Sequence, residues 1–245
     1  MDCAGGKMVK IGLKAGSFII GIVLLFFLFQ YQYVDKNTLE AWSLPLSGKV
    51  IVLDPGHGGP DGGASSGDVL EKDIALQVSE KLVDYLQEQG ALVQMTRTDD
   101  IDLASENTRG YSRRKSEDLR KRVELINESE ADLFISIHLN AIPSPKWSGA
   151  QTFYYGSYKE NEEVAKYIQD ELRKNLGNTT RKAKAINSVY LLKKVNKPGA
   201  LVEIGFLSNQ TEKQLLLQEE YQHKIAASIY QGTLRFFSNE DNPPE

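Results

Sequence analysis

Short apolar runs alternate with helical periodicities along most of this chain, and the alternation limits the folds it can adopt more than any other feature of the sequence. The first run covers residues 50–53 and ends in Asp54-Pro55-Gly56, which is typical of a strand buried on both faces of a sheet. Comparable runs cover residues 91–95, 133–137 and 200–204, and weaker ones cover residues 152–155 and 189–192. We therefore predict a sheet built mostly from buried parallel strands.

Apolar residues at helical spacing fill the segments between these runs. They are Ile74, Val78, Leu82 and Leu86; Leu119, Val123 and Ile126; Val164, Ile168, Leu172 and Leu176; and Ile225 with Ile229. This order predicts a single three-layer α/β domain with a twisted, mostly parallel (mixed) sheet, helices on both faces, and ligands outside the carboxyl ends of the strands. Residues 98–112 are polar and show neither period, which predicts a long loop that is functional or mobile.

The N-terminal segment differs in composition from the predicted domain. Lys7, Lys10 and Lys14 precede an apolar run over residues 15–29, and no small-residue cleavage pattern follows it. We expect a cytoplasmic basic segment over residues 1–14, an uncleaved signal anchor or transmembrane helix over residues 15–34, and a stalk over residues 35–47. The positive-inside rule then predicts that the domain, residues 48–238, and the tail, residues 239–245, are extracytoplasmic.

Composition excludes several classes of function. The full chain carries 29 basic and 33 acidic side chains, a net charge of −4, so it lacks the broad positive charge of a protein that binds nucleic acid. Cys3 is the single cysteine, which excludes internal disulfides and zinc sites built from cysteine clusters. A metal site in this chain therefore has to use other ligands.

Two of the three histidines follow predicted buried strands. His57 lies on the glycine-rich turn after the first strand, and His138 follows the run over residues 133–137. Because the carboxyl ends of parallel strands share one edge of a sheet, both imidazoles are expected to converge, and a catalytic zinc needs three protein ligands. Glu71, just before the next predicted helix, is a candidate third ligand, although a carboxylate there also serves as a helix cap.

A glutamate lies inside the apolar run over residues 200–204. Burying an isolated carboxylate is unfavourable, so Glu203 must be paired, bound to a metal or neutral. Two interpretations stay open at this point. Glu203 either forms a structural salt bridge or acts as general base and then acid toward a metal-bound water.

Other polar residues also allow two interpretations. Asp54 or Asn140 either orients a liganding histidine or stabilises its own turn. The basic cluster over residues 113–115 either contacts substrate carboxylates or forms a solvated helix face. His223 lies in an amphipathic C-terminal helix and is predicted to be a surface residue.

Four separated motifs together resemble the type 3 zinc N-acetylmuramoyl-L-alanine amidases. They are VLDPGHGG at residues 52–59, Glu71, ADLFISIHLNA at residues 131–141 and LVEIGFLSN at residues 201–209, accompanied by Leu119, Arg122 and Asn127. The resemblance implies one Zn²⁺ per chain, held by His57, Glu71 and His138, with Glu203 as the catalytic carboxylate.

The same resemblance implies hydrolysis of the amide between N-acetylmuramic acid and L-alanine in peptidoglycan. The long regulatory helix insertion and the wall-binding repeats found in many members are not seen, and a catalytic domain behind an anchor is similar to the CwlD-type amidases that help to form muramic lactam in the spore cortex. The expected partners are then peptidoglycan, the membrane and an unidentified extracytoplasmic protein. The expected location is the cell wall or the forespore intermembrane space.

Two alternatives belong to other functional classes. A zinc peptidoglycan carboxypeptidase or deacetylase would use the same metal chemistry on a different bond. A non-catalytic wall-binding module would be favoured by loss of a zinc ligand or of Glu203, and the sequence retains all four residues.

Overall fold

The computed structural model describes residues 19–28, 44–238 and 243, in a chain that divides into two compact units, Met1–Leu44 and Pro45–Glu245. In the first unit, residues 19–28 are helical, and large apolar side chains such as Leu25 and Phe27 are exposed. Within the described ranges, no helix has both the length and the apolar character needed to cross a membrane. The predicted basic segment lies outside the described residues, as do half of the predicted anchor and most of the predicted stalk and tail.

A six-stranded sheet organises the second unit, within the residues described. The strands of the unit are β1 (Val50–Pro55), β2 (Ser65–Ser66), β3 (Val69–Leu70), β4 (Leu92–Met95), β5 (Leu133–Asn140), β6 (Gln151–Tyr154), β7 (Lys184–Ala185) and β8 (Gly199–Phe206). The sheet order is β4-β1-β5-β8-β6-β7, in which the first four strands are parallel and β6 runs antiparallel to β8. β2 and β3 form a separate hairpin. The predicted α/β class with a mixed, mostly parallel sheet is confirmed.

Helices connect most of these strands. They are α1 (Glu71–Glu88), α2 (Tyr111–Glu128), α3 (Lys159–Leu176), α4 (Tyr190–Lys194), α5 (Gln210–Leu216) and α6 (Glu219–Phe237). The weak strand predicted over residues 189–192 is wrong, because most of that run belongs to α4. Four apolar residues do not distinguish a short strand from a buried helical turn, and here Leu191 and Leu192 pack onto a face of the sheet.

Alternate residues of the central strands pack into two different layers, because successive side chains of a strand point to opposite faces. Ile51 and Leu53 of β1 belong to the larger core, which they share with apolar residues of α1, α3 and α6. Val52 belongs to the smaller core with Val123 of α2 and Leu191 of α4. Helices therefore cover both faces of the sheet, as the alternation of apolar runs and helical periods predicts.

The packed domain begins slightly before the expected boundary at residue 48. Leu46 is fully buried in the larger core, and its backbone N–H donates to the carbonyl oxygen of Gln89 at 2.9 Å. Burial of a leucine side chain contributes roughly 1.5–3 kcal/mol to folding. The last residues of the predicted stalk are therefore part of the domain.

The polar segment predicted as a loop over residues 98–112 connects β4 to α2, but its last two residues already belong to α2. Arg114, in the first turns of α2, fixes it by donating to the carboxylate of Asp102 and to the carbonyl oxygens of Ser105 and Thr108. One member of the basic cluster over residues 113–115 is thus used to hold the loop.

Asp54, near the end of β1, forms a buried charged network with α2. Its carboxylate accepts hydrogen bonds from Arg122 at 2.7 Å, from Thr96 at 2.8 Å and from Ser136 at 2.6 Å. Arg122 also donates to Asp118, one turn earlier in the helix, at 2.9 Å. Burial alone would raise the pKa of Asp54, but Arg122 and the Ser136 hydroxyl lower it to about 2. The network holds α2 against the end of β1.

Replacing Arg122 tests how much this network contributes to the free energy of unfolding. We expect Arg122→Met to lower the free energy of unfolding by about 3–5 kcal/mol, because two carboxylates lose their buried partner. Urea denaturation measures the change, and Arg120→Met, which alters an exposed arginine of the same helix, should change it by less than about 0.5 kcal/mol.

The loss of unfolding free energy in Arg122→Met should depend on pH. Because the pKa of Asp54 is depressed in the folded chain, its stabilisation is fully present above the ordinary value of 3.8 and is lost as the pH falls toward about 2. Equal stability of the two arginine variants at neutral pH would contradict the structural role of the network.

Candidate metal centre

Three elements bring His57, Glu71 and His138 to one point at the carboxyl edge of the sheet. His57 follows β1, His138 lies near the end of β5, and Glu71 is the first residue of α1. Nε2 of His57 lies 3.2 Å from Oε2 of Glu71, and Nδ1 of His138 lies 2.9 Å from Oε1 of the same carboxylate. One ligand atom from each residue lies within 4.8 Å of the other two. The three side chains therefore offer two imidazole nitrogens and a carboxylate oxygen to one ion.

Glycines on both sides of His57 leave room for these ligands. A Cβ atom at Gly56 would lie 2.4 Å from Cε1 of His138, and one at Gly63 would lie 2.5 Å from Oε2 of Glu71. Gly63 also has a φ of +69°, which glycine adopts without steric penalty. The glycines of the turn thus allow the backbone to pass directly beside the centre.

Glu71 does not cap its helix. The N-cap of α1 is Leu70, and the Glu71 carboxylate instead accepts the backbone N–H of Ala64 at 2.6 Å and of Leu139 at 2.9 Å. Burial alone would raise the pKa of Glu71, but the hydrogen bonds with His138 and His57 hold it well below its usual range. Glu71 is therefore a fixed anion between the two imidazoles.

Asp61 orients His57. Oδ2 of Asp61 lies 2.8 Å from Nδ1 of His57, which leaves Nε2 facing Glu71. Asp61 is itself held by the ammonium of Lys115 at 2.9 Å and by the hydroxyl of Tyr111 at 2.8 Å. Burial alone would lower the pKa of His57, but its hydrogen bonds with Asp61 and Glu71 raise it to about 9. A carboxylate on the outer nitrogen is a common way to fix the tautomer of a liganding histidine.

Asp54 and Asn140, for which that role was left open against stabilising their own turns, do not bond to either imidazole within the described part of the chain. The Asp54 carboxylate is occupied by the network around Arg122. Asp61 lies four residues after His57, beyond a glycine pair and a proline. That spacing is the signal from which its role could have been inferred.

Glu203 faces the same point from β8. Its Cα pairs with that of His138 in the parallel register of β5 and β8, so the two side chains lie on one face of the sheet. The side chain is partly buried, and within the described residues its Oε2 atom is enclosed without a hydrogen-bond partner. The salt bridge considered above is therefore not formed there. Burial raises the pKa of Glu203 to about 7, with His138 and His57 opposing the rise and Glu71 adding to it.

The donor set fits a catalytic zinc. Two imidazole nitrogens and one carboxylate oxygen are typical of zinc sites that keep a further position open for water or substrate. The enclosed Oε2 of Glu203 also needs a polar partner, which a hydrated cation beside the three donors would supply.

A cleft opens beside the centre on the face of the sheet that carries His138 and Glu203. The cavity measures about 240 Å³, and its walls include His57, Lys115, Leu119 and Tyr190. Of the basic cluster, Lys115 thus lines the cleft, whereas Arg113 is an exposed residue that does not line it. His223, predicted at the surface, has a side chain that is 46% exposed.

Known proteins are similar to this chain in sequence and in fold. The sequence profile of the N-acetylmuramoyl-L-alanine amidase family matches residues 51–235. The germination-specific N-acetylmuramoyl-L-alanine amidase of Bacillus subtilis is 65% identical over 233 residues, which cover 95% of this chain and 98% of that protein. The structure of the CwlD amidase from Clostridioides difficile, in complex with the GerS lipoprotein, is similar with a TM-score of 0.76 and 42% identity, covering 78% of this chain and 100% of that one. An N-acetylmuramoyl-L-alanine amidase from Clostridium difficile 630 has a TM-score of 0.70 and 31% identity, covering 78% of this chain and 98% of that one.

Asp61→Asn tests the orienting contact. The variant keeps the size of the side chain but removes the charge that fixes His57, so zinc affinity should fall by about 10–100-fold. Competition with a chromophoric chelator measures the affinity, and circular dichroism checks that the fold is kept. Asp68→Asn changes an exposed carboxylate of the neighbouring hairpin and should bind zinc as the unsubstituted chain does. Equal affinity in both variants would show that Asp61 does not act on the centre.

Proposed function

The chain belongs to the N-acetylmuramoyl-L-alanine amidase family, and from that membership we propose that a zinc ion held by His57, Glu71 and His138 supports its reaction. The enzyme hydrolyses the amide bond between N-acetylmuramic acid and L-alanine in peptidoglycan. The observation that carries the zinc proposal is the convergence of the three donors beside a buried carboxylate oxygen, on Glu203, that has no partner within the described residues.

Glu203 is proposed to move the protons of the reaction. When bound, zinc would lower the pKa of a coordinated water and polarise the amide carbonyl. The free Oε2 of Glu203 is positioned to accept the proton of the attacking water and to pass it to the leaving amine of L-alanine. Burial raises the pKa of Glu203 above its ordinary value, which makes the carboxylate basic enough to take the proton, while the carboxyl stays acidic enough to return it.

A role in the spore cortex is also proposed. It is supported by 65% identity to the germination-specific amidase of B. subtilis over nearly the whole of both chains, and by the similarity to the CwlD structure. Hydrolysis of this amide frees the lactyl carboxyl group of N-acetylmuramic acid. Formation of a muramic lactam requires that carboxyl group without its peptide, so the amidase would act before the lactam ring closes.

Glu203→Gln tests the proton transfer separately from metal binding. The amide keeps the shape of the side chain but cannot accept the proton, so turnover should fall by about 10²–10⁴-fold while the zinc content stays that of the unsubstituted enzyme. Mass spectrometry of muropeptides after digestion measures the reaction, since an amidase releases intact stems with a free L-alanine amine. Glu220→Gln, at an exposed position, should leave turnover unchanged.

The same variant should change the pH profile. Activity of the unsubstituted enzyme falls on the acid side as Glu203 takes up a proton, with a midpoint at or below about 7 because a bound cation favours the carboxylate. That limb should be absent from the residual activity of Glu203→Gln. Zinc content is followed at each pH, because loss of the ion also removes activity. Full activity of the variant, or loss of its zinc, would contradict the assigned role.

We further propose that residues 15–34 anchor the enzyme in the membrane with its domain outside the cytoplasm, where a protein partner joins it. The three lysines before the apolar run support this orientation, and the C. difficile relative was solved with a lipoprotein. Protease added to cells stripped of their wall should digest the domain, and the chain should fractionate with membranes. Free release with a new N-terminus near Val34 would contradict the anchor.

A further inference from the structure

Arg181 carries a guanidinium that is held in place without a salt bridge to any of the described residues. Its Cζ atom lies 5.2 Å from the ring centroid of Trp147 and 5.3 Å from that of Phe206, which are favourable cation–π distances. Nε donates to the carbonyl oxygen of Ser148 and Nη1 to Oε1 of Gln151, each at 3.3 Å. Within the described residues, Arg181 forms no ion pair and Nη2 forms no hydrogen bond. The side chain is therefore fixed while part of its hydrogen-bonding capacity stays open.

Gln151 connects Arg181 to the catalytic carboxylate. β6 pairs antiparallel with β8, and Gln151 lies directly opposite Glu203. Residues in that register share a face of the sheet, with Cβ atoms about 4.5–5.5 Å apart. Nε2 of Gln151 donates to the carbonyl oxygen of Lys182 at 3.0 Å, which turns its oxygen toward Arg181. The side chain of Gln151 thus separates the guanidinium from Glu203, and the guanidinium lies on the side of Glu203 that is away from β1 in the strand order.

Glu212, a buried carboxylate in the same region, forms no ion pair with Arg181 within the described residues, although the guanidinium charge opposes the rise that burial causes in the pKa of Glu212. It accepts the backbone N–H of Gly149 and that of Phe206, each at 2.8 Å. These bonds fix the loop that carries Trp147 and the end of β8, which are the two supports of the guanidinium. Trp147 itself stays 51% exposed, so the stack is open to solvent.

We propose that Arg181 binds a carboxylate of the substrate's peptide stem, an inference that rests on the proposed function. The lactyl carboxyl group of the sugar is consumed in the scissile amide, so the free carboxylates of the substrate lie on the peptide. Apart from the carboxylate at the C-terminus, the second and third residues of the stem each carry one. An extended chain advances about 3.3–3.6 Å per residue, which brings either group within reach of a site one side chain beyond Glu203. A guanidinium binds a carboxylate with paired, charge-assisted hydrogen bonds.

The test compares muropeptides that differ in one carboxylate. All substrates have an amidated C-terminus, which removes the terminal carboxylate. They are a stem in which the second and third residues both keep their carboxylates, one amidated at its second residue, and one amidated at its third residue. On the free-acid stem, Arg181→Gln should raise KM by about 10–100-fold with little change in kcat. One of the two amidated stems lacks the carboxylate that Arg181 binds, and on that stem the KM of the unsubstituted enzyme should rise by the same factor. The KM of Arg181→Gln should be equal on that stem and on the free-acid stem.

A second variant of Arg181 separates binding geometry from charge, and a variant of a nearby lysine serves as a control. Arg181→Lys keeps the charge but not the planar pair of donors, so its KM should be intermediate. Lys184→Gln removes an exposed positive charge three residues further on and should behave as the unsubstituted enzyme does. Circular dichroism checks that each variant is folded.

The results that would overturn the role of Arg181 differ from those that would contradict the amidase activity. An equal loss on all three stems, or no loss on any, would overturn the inference about Arg181. An unsubstituted enzyme that hydrolyses none of the stems would contradict the proposed function. In that case, calorimetric titration with the free stem tripeptide tests the role of Arg181. The tripeptide should bind more weakly to Arg181→Gln than to the unsubstituted enzyme, and equal affinity for the two would overturn the role.

Discussion

Hydrogen bonds from two buried arginines to one backbone turn hold the metal centre together. Arg97 and Arg122 donate to the carbonyl oxygens of residues 55–57 at distances between 2.6 and 3.0 Å. Buried carbonyl groups without partners would be unfavourable, so the arginines stabilise a turn that directs His57 at the centre. Arg97 also donates to the carbonyl oxygen of Lys72 at 2.8 Å, which ties the same turn to the start of the helix that carries Glu71.

The two carboxylates of the centre have opposite electrostatic environments. Glu71 is surrounded by imidazoles and backbone N–H groups, which hold its pKa well below the usual range despite burial. Burial raises the pKa of Glu203 to about 7, and within the described residues nothing donates to its Oε2. Neighbouring carboxylates whose pKa values are pushed apart in this way can serve different roles, one as a permanent anion and one as a proton carrier.

Much of the fold follows from the sequence, because buried parallel strands leave continuous apolar runs and their carboxyl ends must share one edge. The convergence of His57 and His138 follows from the same argument. The position of Glu71 was open between helix cap and ligand, since both need a carboxylate at the start of a helix. Asp61 was not identified, although its spacing from His57 across the glycine and proline turn is a usable signal. Arg97 was not identified because contacts with distant carbonyl groups leave no periodic signal. The helical turn at residues 190–194 was missed since four apolar residues fit either structure.

Anomalous diffraction at the zinc absorption edge, from crystals of the enzyme grown with zinc, would locate the ion. We expect one peak at about 2.0–2.2 Å from Nε2 of His57, Nδ1 of His138 and an oxygen of Glu71, with Glu203 beyond coordination distance. A peak coordinated by Glu203 in place of Glu71, or no peak among these residues, would contradict this ligand set.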